Sequence, residues 1–316
     1  MKRKTYIIAC LMIAAATLFC CMTGVCAAST TNAAEQVELR EDCTLDITYS
    51  SGKTVFSGRT VKLYHIANIT SDAQYELCGA FADKPVTVTG TTSQTEWDDM
   101  TITLNSYILA DGIEADMTQK TDGEGKVKFT GLTAGIYLIS SIRTENAGKY
   151  YVFESFMAAV PTVGEDGRWM YDVSAKPKMS EKTPAKGEVA YTVLKTWKDE
   201  GSKTARPESV KIEIFKDGKL QETVNLEKEN DWRHSWKTVD DGSVWSVVER
   251  DVPDGYKVAI QRNGDTFNVT NSRPSKHTVP KTGDTADMGM YIALMAISGG
   301  LLIALCVLLT RRKNAR

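Results

Sequence analysis

The chain has 316 residues, of which 42% are hydrophobic and 25% are charged. This composition is that of a globular protein and excludes collagen-like, coiled-coil and fully disordered chains. At roughly 100–200 residues per domain, we expect two folded domains. The formal net charge is -2, basic residues cluster at both ends, and the acidic middle has no basic stripe. We therefore expect no nucleic-acid partner.

Residues 1–27 have the pattern of a secretory signal peptide. Basic residues at positions 2–4 precede an apolar stretch at 6–19, and residues 25–27 offer a cleavage site for signal peptidase. The alternative is a lipoprotein acylated at a nearby cysteine, but none of these cysteines follows a small residue. We therefore expect an exported chain.

Residues 38–178 are expected to form a first domain rich in β-strands, at residues 44–49, 60–65, 86–89, 127–129, 136–142 and 151–156. One segment instead has apolar residues at helical spacing, between a capping-box-like Thr95 and Asp98 and a terminating Gly112. Its apolar residues are Trp97, Met100, Leu104, Tyr107 and Ile108. We predict a β-sandwich with a helical insertion, so that the chain as a whole is mainly β.

Cys43 and Cys78 are the cysteines that remain in the exported part. In an oxidising compartment they could form a disulfide, or they could be two separate buried thiols. No Cys or His pair has metal-ligand spacing, and no phosphate-binding or dinucleotide-binding loop occurs in the sequence. We therefore expect no metal ion and no cofactor.

The first domain ends in the pattern Trp-x-x-x-Val-x-x-x-Pro-Lys, from Trp169 to Lys178. Strand alternation predicts that Lys176 and Lys178 point to solvent on either side of Pro177. The pattern resembles the pilin motif of sortase-assembled pili, in which the last lysine attacks the acyl-enzyme carrying the preceding subunit. Family pilins usually have Tyr where Lys176 stands, so either lysine could be the nucleophile, with Lys178 preferred.

Residues 188–273, after a linker at 179–187, alternate between apolar and polar positions in short segments, which predicts β-strands. Asp217 and Gly218 are a hairpin signal between two of them. The expected strands cover residues 189–198, 209–215, 221–226, 232–237, 244–249, 256–261 and 266–271. This succession of short strands predicts a second, Ig-like β-sandwich.

Three polar residues of this second domain, Lys195, Glu249 and Asn271, lie on apolar strand faces. Burial lowers the pKa of a lysine and raises that of a glutamate. A neutral amine could then attack the asparagine carboxamide, polarised by a protonated glutamate, to form an amide and release ammonia. An ordinary buried ion-pair network is the alternative.

The second domain also carries family signatures. They are Lys195-Thr-Trp197, Arg206-Pro207, Asn230-Asp-Trp232, Glu249-x-x-x-Pro253-x-Gly255-Tyr256 and Val269-Thr270-Asn271. Together they resemble the collagen-adhesin B-type (CnaB) domain, and the stretch that begins at Glu249 is similar to the E-box of pilins. The resemblance implies an autocatalytic isopeptide bond with Lys195 as nucleophile, Glu249 as catalyst and Asn271 as acceptor.

The first domain resembles the same B-type repeat between Asp122 and Tyr137 but lacks the reactive groups. Ser140 and Ser141 stand where the acidic catalyst would fall, and the opening strand carries no lysine. We therefore expect no isopeptide bond in this domain.

The carboxyl end carries a motif, an apolar stretch and a basic tail in that order. Residues 288–309 are long and apolar enough to span a bilayer, and the basic tail at 310–316 predicts a cytosolic end. Before them stand Val279, Pro280, Lys281, Thr282 and Gly283. The triplet resembles the LPXTG-type sorting signal of Gram-positive surface proteins, which usually begins with Leu. The resemblance implies that a sortase attacks the Thr282 carbonyl and releases the chain from Gly283 onward. A plain single-span membrane protein with a proline-containing stalk is the alternative.

These features predict a structural subunit of a covalently polymerised pilus, not an enzyme. The expected partners are pilus-type and housekeeping sortases, other copies of the chain, ancillary pilins and peptidoglycan, with a host surface ligand as a further candidate. The expected location is the wall of a Gram-positive bacterium, with a membrane-bound precursor. The alternatives are a singly wall-anchored adhesin or a tip or base pilin, and a wall-held enzyme, against which the lack of a catalytic constellation argues.

Overall fold

Strands dominate the fold, and one α-helix interrupts them within the part of the chain that the structure describes. The computed structural model describes residues 36–88, 93–140, 142–146, 149–183, 187–199 and 206–273. The strands of the first domain are β1 (Cys43–Thr48), β2 (Ser50–Ser51), β3 (Thr54–Val55), β4 (Thr60–Ile69), β5 (Tyr75–Leu77), β6 (Met117–Lys120), β7 (Lys126–Leu132), β8 (Gly135–Ile139), β9 (Ile142–Asn146), β10 (Lys149–Phe153), β11 (Phe156–Val160), β12 (Thr162–Val163), β13 (Trp169–Met170), β14 (Asp172–Ala175) and β15 (Met179–Lys182). Helix α1 (Gln94–Asp111) lies between β5 and β6, and a short 3-10 helix covers Gly79–Phe81.

The first domain is a sandwich of two main sheets. One sheet has the order β14-β1-β7, with β14 parallel to β1 and β7 antiparallel to it. The other has the order β11-β8-β4-β5, and β6 also pairs with β4. Fully buried side chains from both sheets, including Leu45, Leu63, Phe129 and Ile139, form the core between them. Each such side chain contributes about 1.5–3 kcal/mol of burial free energy. Strands β9, β10 and β15 form a third sheet, in the order β15-β10-β9.

Helix α1 is bounded by local polar groups. The Ser93 hydroxyl accepts a hydrogen bond from Glu96 N, and the Glu96 carboxylate accepts one from Ser93 N, which forms a capping box. The predicted start at Thr95 and Asp98 is wrong, because Ser93 has the extended backbone that an N-cap residue needs and its hydroxyl reaches the third helical residue. The predicted stop is confirmed: Gly112 has the left-handed φ of 63° that favours glycine.

The second domain contains every strand that the alternation predicts. They are β16 (Glu188–Lys198), β17 (Ser209–Lys216), β18 (Lys219–Glu227), β19 (Arg233–Val239), β20 (Trp245–Arg250), β21 (Lys257–Asn263) and β22 (Thr266–Ser272), with a 3-10 helix at Lys228–Asn230. One sheet has the order β19-β16-β22-β21, and the facing sheet has the order β18-β17-β20. The hairpin at Asp217 and Gly218 is confirmed, with positive φ angles of 50° and 74° as its tight turn requires.

Four predictions of linker or strand bounds in the first domain are wrong. The linker does not begin at residue 179, because Met179–Lys182 form β15 and pair with β10. Residues 86–88 are not a strand; Val86 is buried by core contacts and its amide bonds to the nearby carbonyl of Lys84. The single strand expected at 136–142 is divided, since β8 ends at Ile139 and β9 starts at Ile142. The single strand expected at 151–156 is divided as well, since β10 ends at Phe153 and β11 starts at Phe156.

Helix α1 is buried on two sides because it packs between the two domains. Trp97 Nε1 donates to the carbonyl of Met157 on β11 at 3.3 Å. On the second-domain side, Ile260 N of the edge strand β21 donates to Thr103 Oγ1 at 2.7 Å. One apolar cluster contains side chains of both domains and of the helix. The described residues up to Arg273 therefore form one compact unit.

The predicted signal peptide, sorting motif, membrane span and basic tail lie outside the described residues. In the part of the chain that the structure does describe, no helix combines the length and apolar character needed to cross a bilayer.

Candidate functional site

Three strands of the second domain bring Lys195, Glu249 and Asn271 together. Lys195 is on β16, and Asn271 is on its parallel neighbour β22, two residues beyond Val269, the register partner of Lys195. Glu249 is on β20 in the facing sheet. Diagonal neighbours on one sheet face are within reach of a long side chain such as lysine. The side chains that the sequence marks as a site therefore meet between the two sheets.

The Glu249 carboxyl group lies between the other two side chains. Lys195 Nζ is 3.1 Å from Glu249 Oε2, and Asn271 Nδ2 donates to Glu249 Oε1 at 2.7 Å. Nζ also donates to the backbone carbonyls of Thr196 and Val269, at 3.4 and 3.3 Å. A single carboxyl group thus holds an amine and a carboxamide in one cluster.

The cluster is shut off from solvent. The side chains of Lys195 and Glu249 are both 0% exposed, and Asn271 is fully buried. Burial lowers the pKa of Lys195 to about 8, although the Glu249 carboxylate opposes this shift. Burial also raises the pKa of Glu249, although Lys195 and Asn271 favour its charged form. Desolvation therefore pushes the pair toward a neutral amine and a carboxylic acid.

The noncovalent contacts do not satisfy every polar atom of the cluster. Asn271 Oδ1 and Glu249 Oε2 accept no well-aligned hydrogen bond from the residues that the structure describes. Oε2 still faces Lys195 Nζ in the ion pair at 3.1 Å, so Asn271 Oδ1 is the atom left without a partner among the described residues. A buried polar atom left in this state costs about 1–3 kcal/mol.

One aromatic ring covers the Lys195 amine, and two others support that ring. Nζ lies 4.5 Å from the centre of the Trp197 ring. Trp197 in turn contacts Trp232 and Tyr256 edge-on, with ring centres 5.6 and 5.3 Å apart. These rings, which the sequence shows only as signature residues, form an apolar wall that keeps water from the amine.

A further buried charge beside this wall is absent from the sequence prediction. The Asp199 carboxylate accepts hydrogen bonds from Arg206 Nε at 2.7 Å, from Arg206 Nη2 at 2.6 Å and from the Tyr256 hydroxyl at 3.0 Å. The hydrogen bonds from Arg206 lower the pKa of Asp199 to about 2. The sequence did contain a signal for the burial of Asp199, because this residue continues the alternation of Lys195 and Trp197 and so falls on the same strand face.

The two lysines of the pilin-like motif are exposed on either side of buried Pro177, as predicted. Lys178 Nζ forms an ion pair with Asp98 of helix α1 at 3.3 Å, and its side chain remains 69% exposed. The Lys178 carbonyl accepts a hydrogen bond from Glu154 N at 3.0 Å, which fixes its backbone. Lys176 and Lys178 are thus both accessible to a partner.

Cys43 and Cys78 are free thiols. Cys43 Sγ contacts the carbonyl of Arg40 at 3.9 Å, whereas Cys78 Sγ contacts the carbonyl of His65 at 3.7 Å. The disulfide considered from the sequence is therefore not formed in the structure, since the two sulfur atoms contact different backbone segments.

The predicted sortase site, with Thr282 and Gly283, lies outside the described residues. Over the described ranges, no group of three or more His, Cys, Asp or Glu side chains is arranged to hold a metal ion.

Residues 191–272 match the family model of the Cna protein B-type domain, and this range contains Lys195, Glu249 and Asn271. The collagen adhesin of Staphylococcus aureus is 33% identical over 115 residues, which cover 35% of this chain and 9% of that much longer protein.

Solved structures of surface proteins are also similar to this chain. One is a single B repeat unit (B1) of the collagen-binding surface protein of Staphylococcus aureus, with 17% identity, 75% of this chain and 100% of that chain covered, and a TM-score of 0.26. Another is the full-length major pilin SpaD from Corynebacterium diphtheriae, with 15% identity, 76% and 66% coverage, and a TM-score of 0.30. The match at residues 191–272 identifies the second sandwich as a Cna protein B-type domain.

Proposed function

We propose that this chain is a structural subunit of a covalently polymerised pilus and that its second domain carries a Lys195–Asn271 isopeptide bond. The cross-link is supported by the buried cluster of Lys195, Glu249 and Asn271, within a segment that matches the Cna B-type family. The polymer is supported by exposed Lys178 in the pilin-like motif. On this proposal the chain turns over no substrate and needs no cofactor. It acts mechanically, at the wall of a Gram-positive bacterium.

The cross-link forms by attack of Lys195 on the Asn271 carboxamide. The proton of the Lys195 ammonium moves to Glu249, which leaves a neutral amine beside a carboxylic acid. Nζ adds to Cγ of Asn271, the bond from Cγ to Nδ2 breaks, and Glu249 relays a proton so that Nδ2 leaves as ammonia. An amine and a carboxamide thus become a secondary amide and ammonia. The enclosed site supplies alignment and excludes water.

The Asn271 carboxamide turns before it reacts. Its nitrogen donates to Glu249 Oε1 at 2.7 Å, whereas a protonated Glu249 polarises the carbonyl oxygen by donating to it. Asn271 Oδ1 accepts no hydrogen bond from the described residues, so a half-turn about the terminal side-chain bond costs no contact at that atom. After the half-turn, the carboxylic acid bonds to Oδ1 and the carbonyl carbon becomes more electrophilic.

The bond would give the domain a covalent path for tension. β16 and β22 are the first and last strands of the second domain and are parallel neighbours. A pull that enters at the start of β16 and leaves at the end of β22 would pass through the Lys195–Asn271 amide. The strands in between would then carry little of the load.

Polymerisation would join subunits from head to tail. A pilus-type sortase would transfer the Thr282 acyl group of one subunit to exposed Lys178 of the next, with Lys176 as the alternative nucleophile. Donor and acceptor lie on different parts of the chain, and such heterologous joints produce an open fibre. Ancillary pilins would occupy the tip or base, and a housekeeping sortase would attach the finished fibre to peptidoglycan.

Wall extracts from cells that express the chain with a pilus-type sortase test this proposal. The unmodified chain is expected to give a ladder of species that resist boiling in SDS, and Lys178→Ala is expected to abolish it. Lys128→Ala is the matched control, because Lys128 is another exposed lysine of the first domain, paired with Asp46 at 3.0 Å. A ladder that survives Lys178→Ala combined with Lys176→Ala would contradict polymerisation through this motif.

A singly wall-anchored adhesin, or an ancillary tip or base pilin, is the second candidate. The similarity to the collagen adhesin of Staphylococcus aureus favours it. Such a protein would share the sorting signal and the internal cross-link but would leave Lys178 unused. A single wall-linked species that binds an immobilised host surface ligand such as collagen, with no ladder, would favour the adhesin over the polymer.

A further inference from the structure

We infer that Asp199, Arg206 and Tyr256 form a clamp that holds Trp197 over the Lys195 amine and keeps water out of the cross-linking site. The inference rests on the proposed isopeptide bond. It gives a positioning role to residues that do not touch the reacting atoms.

The clamp joins three separate segments of the second domain. Asp199 directly follows β16, Arg206 precedes β17, and Tyr256 precedes β21. Both Asp199 oxygens accept from the planar Arg206 fork, and the Tyr256 hydroxyl adds a third hydrogen bond to Oδ2. Bidentate pairing of this kind fixes direction as well as distance. The Asp199 side chain is only 1% exposed, whereas that of Arg206 is 26% exposed, so the carboxylate is shielded and the guanidinium reaches the surface.

Trp197 connects the clamp to the reactive amine. Its ring centre lies 4.5 Å from Lys195 Nζ and 5.5 Å from Arg206 Cζ. Tyr256 contacts the same ring at an interplanar angle of 76°. The two residues that bind Asp199 therefore also contact the ring that lies over Lys195, on which Trp232 packs as well.

Tyr256 is itself fixed from outside. The Arg273 guanidinium lies 5.3 Å from the centre of the Tyr256 ring, and Arg273 N donates to the Lys198 carbonyl at 3.0 Å. Gly255 permits this arrangement, because its φ is 78° and a Cβ there would lie 3.1 Å from Arg273 Nη2. The contacts of Arg273 thus connect the end of the domain to Lys198, the last residue of β16.

The charges around Lys195 favour its neutral form once water is excluded. Glu249 faces it from β20 and favours the ammonium, whereas burial and the positive charge of Arg206 lower the pKa of Lys195. Asp199 neutralises part of the Arg206 charge, and Arg273 lies farther out, against Tyr256. An opened clamp would admit water and return the pKa of Lys195 toward its ordinary value. Less neutral amine would then be present at neutral pH.

The rate of ammonia loss on refolding tests the clamp. The full chain is recovered unfolded from inclusion bodies and diluted into detergent-containing buffers from neutral to alkaline pH, and its intact mass is followed over time. Arg206→Gln is expected to lose ammonia about tenfold more slowly at neutral pH, because a rise of one unit in the pKa of the amine lowers its neutral fraction tenfold. At alkaline pH its rate is expected to return to that of the unmodified chain. Arg206→Lys keeps the positive charge but loses the bidentate contact with Asp199. Its rate of ammonia loss at neutral pH is expected to lie between those of Arg206→Gln and the unmodified chain.

Arg40→Gln is the matched control. It removes another Arg–Asp fork, with both contacts to Asp42 at 2.8 Å, that lies beside an aromatic ring, Tyr171. Its rate and pH profile are expected to equal those of the unmodified chain.

Each outcome decides the inference. An Arg206→Gln rate and profile equal to the control, or a rate lowered equally at every pH, would overturn it, because the second result is that of a merely structural residue. If Arg206→Gln does not refold, Tyr256→Phe decides: a slower reaction at neutral pH supports the clamp, and an unchanged one contradicts it. If the unmodified chain never loses ammonia, the isopeptide proposal itself fails and the clamp with it.

Discussion

The two sandwiches of this chain differ in what they bury. In the first domain, the buried polar residues among those that the structure describes carry only hydroxyl groups, as Thr121 and Thr144 do. The second domain buries Lys195, Glu249 and Asn271. A buried ion pair rarely stabilises a fold more than well-packed apolar residues of the same size would. The proposed cross-link accounts for this cluster, because it would replace the buried charges with a neutral amide.

Glu249→Ala removes the carboxyl group from the buried cluster of the second domain and is expected to have the largest effect. It leaves Lys195 buried without a counter-charge and without an acid to relay the proton. We expect no loss of ammonia and a free energy of unfolding lower by about 3–5 kcal/mol from the unpaired charge alone. Intact mass and thermal unfolding measure the two effects.

Glu213→Ala is the control for this change. Glu213 lies on the neighbouring strand β17 and pairs with Arg250 at 2.7 Å, away from Lys195. Its variant should still lose ammonia. If Glu249→Ala loses ammonia as well, the assigned role of Glu249 is wrong.

Phe129→Ala would weaken the first domain and leave the reactive cluster intact. Phe129 is 0% exposed between the sheets of that domain. Truncation of such a side chain costs about 3–5 kcal/mol. Calorimetry should show a lower unfolding temperature for the first domain, whereas the ammonia loss should be unchanged. A full, unmodified mass would instead show that the second domain reacts only when the first is folded.

The second domain could be predicted from the sequence almost in full. Its strands alternate between buried and exposed positions, and Asp217 with Gly218 marks a hairpin. The same alternation placed Lys195, Glu249 and Asn271 on inward faces, which the structure confirms. Their contacts could not be predicted, because the parallel pairing of β16 with β22 joins segments far apart in the chain.

The first domain was harder to predict because the sheet that contains β8 is covered on both faces. β8 is buried at every position: Tyr137 and Ile139 face the core between the sheets, whereas Ile136 and Leu138 belong to the cluster around helix α1. A strand buried on both faces has no alternation to read. The second buried face of α1 was missed for a related reason, since Thr103 and its polar neighbours are typical of a solvent-facing side.

The stability of the second domain is expected to depend on pH in the acid range through Asp199. Arg206 lowers the pKa of Asp199 from 3.8 to about 2, so the unfolded chain binds this proton more tightly than the folded one does. The stabilising contribution of Asp199 is therefore complete above the unfolded pKa and is lost as the pH falls through about 2. Asp199→Asn should lower stability at neutral pH by about 2 kcal/mol and flatten its fall in acid.

Thermal unfolding across the acid range measures this effect, with Asp42→Asn as the control. Asp42 also pairs with an arginine, but its side chain is 70% exposed, so its contribution should be smaller. Identical acid profiles for Asp199→Asn and the unmodified chain would contradict the prediction.

Thr103→Val should have the smallest effect and tests how the domains are joined. The Thr103 hydroxyl accepts a hydrogen bond from Ile260 N on edge strand β21 at 2.7 Å. Its loss should lower the free energy of unfolding by about 1 kcal/mol, whereas Thr103→Ser, which keeps the hydroxyl, should stay close to the unmodified chain. Chemical denaturation compares the two. Equal stabilities would mean that this contact contributes nothing across the domain boundary.

Mass spectrometry of the folded, purified chain tests the central claim most directly. If the buried amine and carboxamide have reacted, the intact mass is lower by one ammonia and proteolysis yields a branched peptide that joins Lys195 to Asn271. A full, unmodified mass, with a free amine on Lys195 and an intact carboxamide on Asn271, would contradict the account.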